Sequence, residues 1–158
     1  RIPEGGGPVR CRHALVLEGV QDPGNVGTVI RTANALETDA VILIGDCADP
    51  YNPKTVRAAM GALFRQPVLE MDREELRDFL RNHDLTLWGA ALGSGSEDIL
   101  NVDLSQTAVA IGSEGRGLSP RLLEICAGRL IIPMAPSSES LNAAVAASIV
   151  MWEMKRRR

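Results

Sequence analysis

Three segments of this chain gather small and polar residues of types that do chemistry. The first, Gln21-Asp22-Pro23-Gly24-Asn25-Val26-Gly27, leads into a helical pattern with Arg31 two turns along. An amide and a guanidinium, which keeps its protons in proteins, can together hold a polar substrate and stabilise developing negative charge. The same two residues also suit a helix cap and a solvated cation, so this segment alone leaves both readings open. The second, Ile111-Gly112-Ser113-Glu114-Gly115-Arg116-Gly117-Leu118-Ser119, is glycine-rich. Its glycines permit close backbone approach to a ligand, and Glu114 among them can accept hydrogen bonds without competing bulk. It lacks the GxGxxG spacing and the Walker lysine, so it equally suits an ordinary strand-to-helix loop. The third, from Ile132-Pro133-Met134 to Ser140-Leu141-Asn142, feeds an alanine-rich helix. Ser140 can be that helix's cap and Asn142 a first-turn residue, or both can face a substrate.

The elements that must carry these loops are legible from periodicity. Ala14–Leu17, Ala40–Ile44, Leu85–Ala91, Ala108–Ile111 and Leu130–Ile132 read as buried strands alternating with helical patterns. Such alternation predicts an α/β fold with a mostly parallel sheet flanked by helices. Helix starts are expected at Asn25, at Asn52-Pro53, at Asp72 with Glu75 three residues on, at Ser119-Pro120 and at about Ser140. All three polar segments then leave the carboxyl ends of strands, the edge where open α/β sheets bind ligands. The last helix is apolar on more than one side: Val145, Ile149 and Trp152 form one line, and Ala143, Ala147 and Met151 lie off it. A second subunit is the expected cover for the extra face.

The 158 residues fit one globular domain, with 45% hydrophobic content and a formal net charge of -3. There is no global basic field, so a nucleic acid must be held by local cations. Candidates are Arg31, Lys54 and Arg57 (three apart on one helix face), Arg65, Arg116, and the terminal run containing Arg156 and Arg158. With two Phe, two Trp and one Tyr, extensive base stacking is not expected. Cys11, Cys47 and Cys126 are odd in number and lack metal-ligand spacing, which predicts reduced thiols, no disulfide and no metal. Apolar runs stop short of the roughly 20 residues that span a bilayer, so the reading is a cytoplasmic protein with no membrane partner. Residues 1–12, rich in Gly and Pro, read as a linker from an upstream substrate-binding domain, and residues 13–158 as the catalytic domain.

In this order, the three segments resemble the three motifs of the SpoU/TrmH-like RNA 2'-O-ribose methyltransferases within the SPOUT superfamily. The resemblance covers about Ala14 to Arg158 and includes Asp49-Pro50-Tyr51-Asn52-Pro53-Lys54 and Met60-Gly61-Ala62 between the first and second motifs. The chain departs from the family at Ser113, where Asn is usual, and at Ala143-Ala144, where Val-Ser or Val-Ala is common. The resemblance implies a deep C-terminal trefoil knot and transfer of a methyl group from S-adenosyl-L-methionine, leaving S-adenosyl-L-homocysteine. The implied substrate is a ribose 2'-hydroxyl of RNA, with rRNA favoured over tRNA. Ala91, Leu92, Gly93, Gly112, Ser113, Gly115, Ile132, Met134, Ser140 and Leu141 are then the expected cofactor contacts. Arg31, Asn25, Glu114, Ser140 and Asn142 are the expected catalytic set, with Arg31 acting across a homodimer interface. The alternatives are a small-molecule enzyme using a nucleotide cofactor and an inactive RNA-binding or assembly module.

Overall fold

Every strand pairing in the sheet is parallel, and the strand order places the candidate loops on one edge. The computed structural model describes residues 10–91, 95–137 and 140–157. In chain order the elements are β1 (His13–Glu18), α1 (Pro23–Ala35), β2 (Ala40–Ile44), α2 (Pro53–Ala59), β3 (Val68–Met71), α3 (Arg73–Asn82), β4 (Thr86–Ala90) and β5 (Glu97–Asp98). There follow β6 (Thr107–Gly112), α4 (Pro120–Glu124), β7 (Gly128–Ile131) and α5 (Ala143–Arg156). The sheet order is β3-β2-β1-β6-β4-β7-β5. The chain therefore winds outward from β1 through β2 to β3, then crosses to build the other half. The reversal falls between β1 and β6, whose residues pair in register from His13 with Thr107 to Glu18 with Gly112.

Strand alternation sorts the core onto two faces. Leu15 and Leu17 of β1 join Val26, Val29 and Ile30 of α1 and Ala147, Val150 and Met151 of α5 in one buried cluster. Ala14 and Val16 turn the other way, toward Leu76 and Leu80 of α3 and Leu122 of α4. Burial on both faces explains why these strands are continuous apolar runs rather than alternating ones. The close approach of α1 to α2 depends on Gly27, where an added Cβ would lie 2.5 Å from the Thr55 carbonyl oxygen and from the Ala58 methyl group.

The structure differs from the sequence expectations in four places. Asp22, not Asn25, caps α1: its carboxylate accepts from the amides of Gly24 at 2.8 Å and Asn25 at 3.3 Å. Pro23 then occupies the first turn, where its missing N–H is not needed. Asn142, not Ser140, caps α5, accepting from the Ala144 and Val145 amides at 2.8 and 3.2 Å. The strands β3 and β5 were not expected. β3 is a four-residue edge strand with its Glu70 exposed, and β5 is a charged dipeptide aligned only by pairing with β7. The helix starts at Asn52, Asp72 and Ser119 are as expected, including a reciprocal capping box between Asp72 and Glu75.

Candidate active site at the carboxyl edge of the sheet

Moving the two caps changes what the polar side chains are free to do. With Asp22 capping α1, the Asn25 side chain is released to face α5. There its Oδ1 accepts from Asn142 Nδ2 at 3.1 Å. The same Nδ2 donates to Glu114 Oε1 at 2.9 Å. Asn142 thus caps α5 with its oxygen while its nitrogen ties together the loop after β6 and the first turn of α1. Because the oxygen is fixed by two backbone amides, the amide has one sensible orientation, which presents the nitrogen to both acceptors. Glu114 also accepts from the Ala143 amide at 3.4 Å, which sets a carboxylate against the positive end of α5.

Residues from all three polar segments therefore meet: Asn25, Glu114 and Asn142 are separated by 117 and 28 positions from their partners yet lie within hydrogen-bond distance. Asn25 is half-buried, and Glu114 and Asn142 are exposed, as is Ser140, two residues ahead of the cap. Arg31 is not brought to this trio. It is exposed on α1, and six residues on from Asn25 lies about 120° round the helix and about 9 Å along it. Among the described residues, no hydrogen bond or ion pair joins Arg31 to Asn25, Glu114 or Asn142.

The loop after β6 turns back tightly. The Gly117 amide donates to the Ser113 carbonyl at 2.8 Å. A Cβ on Gly112 would sit 2.2 Å from the Gly117 carbonyl carbon, so no larger residue fits while this fold-back persists. Of the expected cofactor contacts, Ala91, Ser113, Ile132 and Leu141 are half-buried, whereas Gly115 and Met134 are exposed. Leu92 and Gly93 lie outside the described residues. β6, β4 and β7 are neighbours, so the segments at Gly112, Ala91 and Ile132 leave the sheet side by side.

Among the RNA-contact candidates, Lys54, Arg57, Arg65 and Arg116 are exposed. Arg156 instead clasps Glu153, with nitrogen–oxygen distances of 2.9 and 3.1 Å. Hydrogen bonding from Arg156 holds the buried Glu153 carboxyl below its usual range. Arg157 joins the same carboxylate and also donates to the carbonyls of Ile99 and Val102, tying the end of α5 to the segment after β5. Arg158 lies outside the described residues. The three thiols are not bonded to one another. Burial pushes Cys126 up to about 11 and raises Cys47 as well, which makes both poor nucleophiles at neutral pH. Among the described residues, no cluster of three or more His, Cys, Asp or Glu could hold a metal, and no helix is long and apolar enough to cross a membrane.

One contact was not foreseen. Glu18, the last residue of β1, accepts from the Ser119 amide and the Ser119 hydroxyl, both at 2.7 Å. The available clue was a carboxylate ending an otherwise apolar strand.

Residues 12–152 match the family described as the SpoU rRNA Methylase family. The chain belongs to that family. It is 38% identical over 145 residues to the Bacillus subtilis protein named 23S rRNA (guanosine(2553)-2'-O)-methyltransferase RlmP, a match covering 92% of this chain and 58% of that protein. It is 37% identical over 158 residues to a 23S rRNA (uridine(2479)-2'-O)-methyltransferase of Streptomyces viridochromogenes, covering 96% of this chain and 55% of the relative. The chain therefore spans little more than half the length of these relatives. The crystal structure of the SpoU methyltransferase AviRb from S. viridochromogenes, in complex with the cofactor AdoMet, superposes with a TM-score of 0.87 at 35% identity, covering 95% of this chain and 62% of that one. The α/β architecture with its parallel sheet and flanking helices is thus that of SpoU enzymes.

The dual role of Asn142 can be separated by substitution. Asn142→Ser should keep the α5 cap, and hence thermal stability within about 0.5 kcal/mol, because Ser and Asn cap about equally well. It removes the amide nitrogen that joins Asn25 and Glu114, so the activity proposed below should fall by about tenfold or more, on the scale of losing a positioning hydrogen bond. Melting temperature and turnover, measured on one preparation, check the two halves; turnover equal to wild type refutes the catalytic half.

Proposed function

We propose that this chain is the catalytic domain of a S-adenosyl-L-methionine-dependent RNA methyltransferase that modifies a ribose 2'-hydroxyl. The proposed substrate is rRNA rather than tRNA, since the two relatives named above act on 23S rRNA. The single observation that carries the reading is the convergence of Asn25, Glu114 and Asn142 on one sheet edge in a SpoU-family chain. A structural descendant without turnover would have no need to keep all three.

The residues present fit the cofactor. Three adjacent strand exits, small residues at Ala91 and Gly112, and a loop packed too closely for a side chain at Gly112 leave main-chain groups to line the edge. Residues 91–93, 112–115, 132–134 and 140–141 would hold S-adenosyl-L-methionine there. When bound, it supplies a methyl group on a sulfonium whose leaving group is already excellent. The chain must then align the hydroxyl and handle its proton. Arg31 donates to the oxygen as negative charge develops on it. Asn142 is held rigid by its cap and with Asn25 and Ser140 positions the ribose. Glu114 faces the same space, where it steers the guanidinium or receives the proton.

The reading includes a homodimer in which Arg31 of the partner subunit completes each site. The separation of Arg31 from the trio within one chain supports this. So does the surface on both sides of α1. That helix packs between α5 and the turn after α2, and these neighbours expose Val145 (47%), Trp152 (51%), Met60 (66%) and Phe64 (85%). A second copy laid over α1 would cover all four. We further propose a trefoil knot, a cytoplasmic location, a linker at 1–12 to an upstream substrate-binding domain, and RNA contacts at Lys54, Arg57 and Arg116. The strand order, with β4 between β6 and β7, is compatible with the knot.

The test is incubation with methyl-labelled cofactor and either 23S rRNA or total tRNA, followed by nucleoside mass spectrometry. A 2'-O-methylated nucleoside in the rRNA is expected. Label on a base, or in tRNA alone, overturns the substrate. Cofactor binding with no transfer to either RNA favours the non-enzymatic module, and binding of NAD or ATP instead favours the nucleotide-cofactor enzyme.

A further inference from the structure

We propose that Glu18 is a positioning residue for the cofactor loop, holding the segment 112–119 in the shape that a bound S-adenosyl-L-methionine requires. This inference rests on the cofactor reading above. It begins from the loop's path across the sheet edge. Gly112 ends β6 beside Glu18, with which it pairs in register. From there the loop reaches Glu114, which touches Asn142 and α5 on one face of the sheet. It then turns back to Ser119, which starts α4 on the opposite face. The loop therefore straddles the edge and needs an anchor at each end.

The first anchor is Asn142. The second is Glu18, whose side chain projects to the α3–α4 face, as those of Ala14 and Val16 do. Each of its two carboxylate oxygens takes one Ser119 donor, the amide and the hydroxyl, at 2.7 Å. The Ser119 hydroxyl in turn accepts from the Leu122 amide at 3.2 Å, so the carboxylate, the loop's end and the first turn of α4 form one chain of hydrogen bonds. Charge-assisted bonds of this length are among the stronger ones available to a protein. Between the anchors the loop holds its fold-back through the Gly117-to-Ser113 contact, a 3.3 Å bond from the Arg116 amide to the Ser113 hydroxyl, and the close packing of Gly117 on Gly112. Released at Ser119, the return limb of the loop from Gly115 to Leu118 loses its fixed distance from the edge, while Glu114 keeps its own bonds to Asn142 and the Ala143 amide.

The consequence is specific: the Glu18 clamp sets cofactor affinity while leaving the chemistry and RNA binding to others. Glu18→Ala should weaken S-adenosyl-L-methionine binding by about tenfold or more, the cost of losing two charge-assisted bonds at an ordered loop. At saturating cofactor the turnover number should stay within about threefold of wild type, and the KM for RNA should not change, since only uniform cofactor binding is lost. Glu18→Gln keeps an acceptor for the Ser119 amide and a partner for its hydroxyl, so it should restore most of the affinity. Ser119→Ala keeps the bond from its backbone amide and loses the one from its hydroxyl, so it should show a smaller loss in the same direction, and the double variant should be no worse than Glu18→Ala alone.

The experiment measures cofactor binding by calorimetry and steady-state kinetics on the intact protein carrying each substitution, together with hydrogen exchange of the 113–118 amides. The clamp predicts faster exchange of those amides in Glu18→Ala and Ser119→Ala. Wild-type affinity and wild-type exchange in a folded Ser119→Ala protein would overturn it, as would additive losses in the double variant. If Glu18→Ala does not fold, Ser119→Ala and Glu18→Gln carry the test. A wild-type protein that binds no S-adenosyl-L-methionine removes the cofactor reading, while the exchange result still decides whether Glu18 orders the loop.

Discussion

Arg31→Ala is expected to bind S-adenosyl-L-methionine nearly as well as the wild-type protein and to transfer its methyl group at least about a hundredfold more slowly, as loss of a donor to a developing oxyanion does. The two halves of this result follow from different facts. Affinity should survive because Arg31 is exposed on α1 and, among the described residues, is not hydrogen-bonded to those that would hold the cofactor. Turnover should collapse because a ribose hydroxyl is a poor nucleophile, and Arg31 is the proposed source of positive charge where its oxygen reacts. Lysine should not replace it. A single ammonium on a flexible stem cannot present the guanidinium's fixed fork of donors, so Arg31→Lys should fall nearly as far. Calorimetric cofactor binding and single-turnover methylation with saturating RNA measure the two halves separately. Near-normal single-turnover methylation by Arg31→Ala would remove Arg31 from the mechanism.

The sequence displayed the fold where burial wrote it plainly and hid it where pairing imposed it. β1, β2 and β6 are buried on both faces, and their apolar runs could be read almost to the residue. β5 has no such run, because Glu97 and Asp98 are strand residues only through their pairing with β7. Helix starts were legible wherever a cap had one candidate, as at Asn52 and Asp72. They were misplaced where two polar residues competed within a few positions. Asp22 stands three residues before Asn25 and Asn142 two after Ser140, and in each case local spacing could not say which one would turn to the backbone. The choice decides how the candidate site is built. Only when Asp22 takes the cap is Asn25 free to meet Asn142, and only as the cap is Asn142 fixed enough to hold Glu114. The three residues that meet at the candidate site were thus visible in the sequence, but which of them would cap a helix and which would bridge the loops was not. Glu18 was overlooked because its partner lies 101 positions away and its spacing matches no motif.

Mixing two inactive proteins should restore activity if Arg31 serves the partner's site. Consider Arg31→Ala and Asn142→Ala, each of which as a homodimer disables both of its sites. In a mixed dimer with shared sites, the intact Asn142 of the first variant meets the intact Arg31 of the second, and the other site carries both lesions. Random pairing of equal amounts makes about half the dimers mixed, each with one good site of two, so activity should approach about a quarter of wild type under cyclic two-fold pairing. If each chain instead completes its own site, every site carries one lesion in every pairing and nothing is recovered. Loss of the Asn142 cap costs about 1 kcal/mol, so the comparison needs both variants shown to be folded before mixing. The prediction depends on α1 lying under a second copy, flanked by the exposed Val145 and Trp152 on one side and Met60 and Phe64 on the other. Trp152→Arg puts a charge into that contact and should release monomers at micromolar concentration in sedimentation, with turnover lost in proportion because each freed site lacks its guanidinium. A stable, active monomer would separate Arg31 from the partner's site and return its role to the chain that carries it.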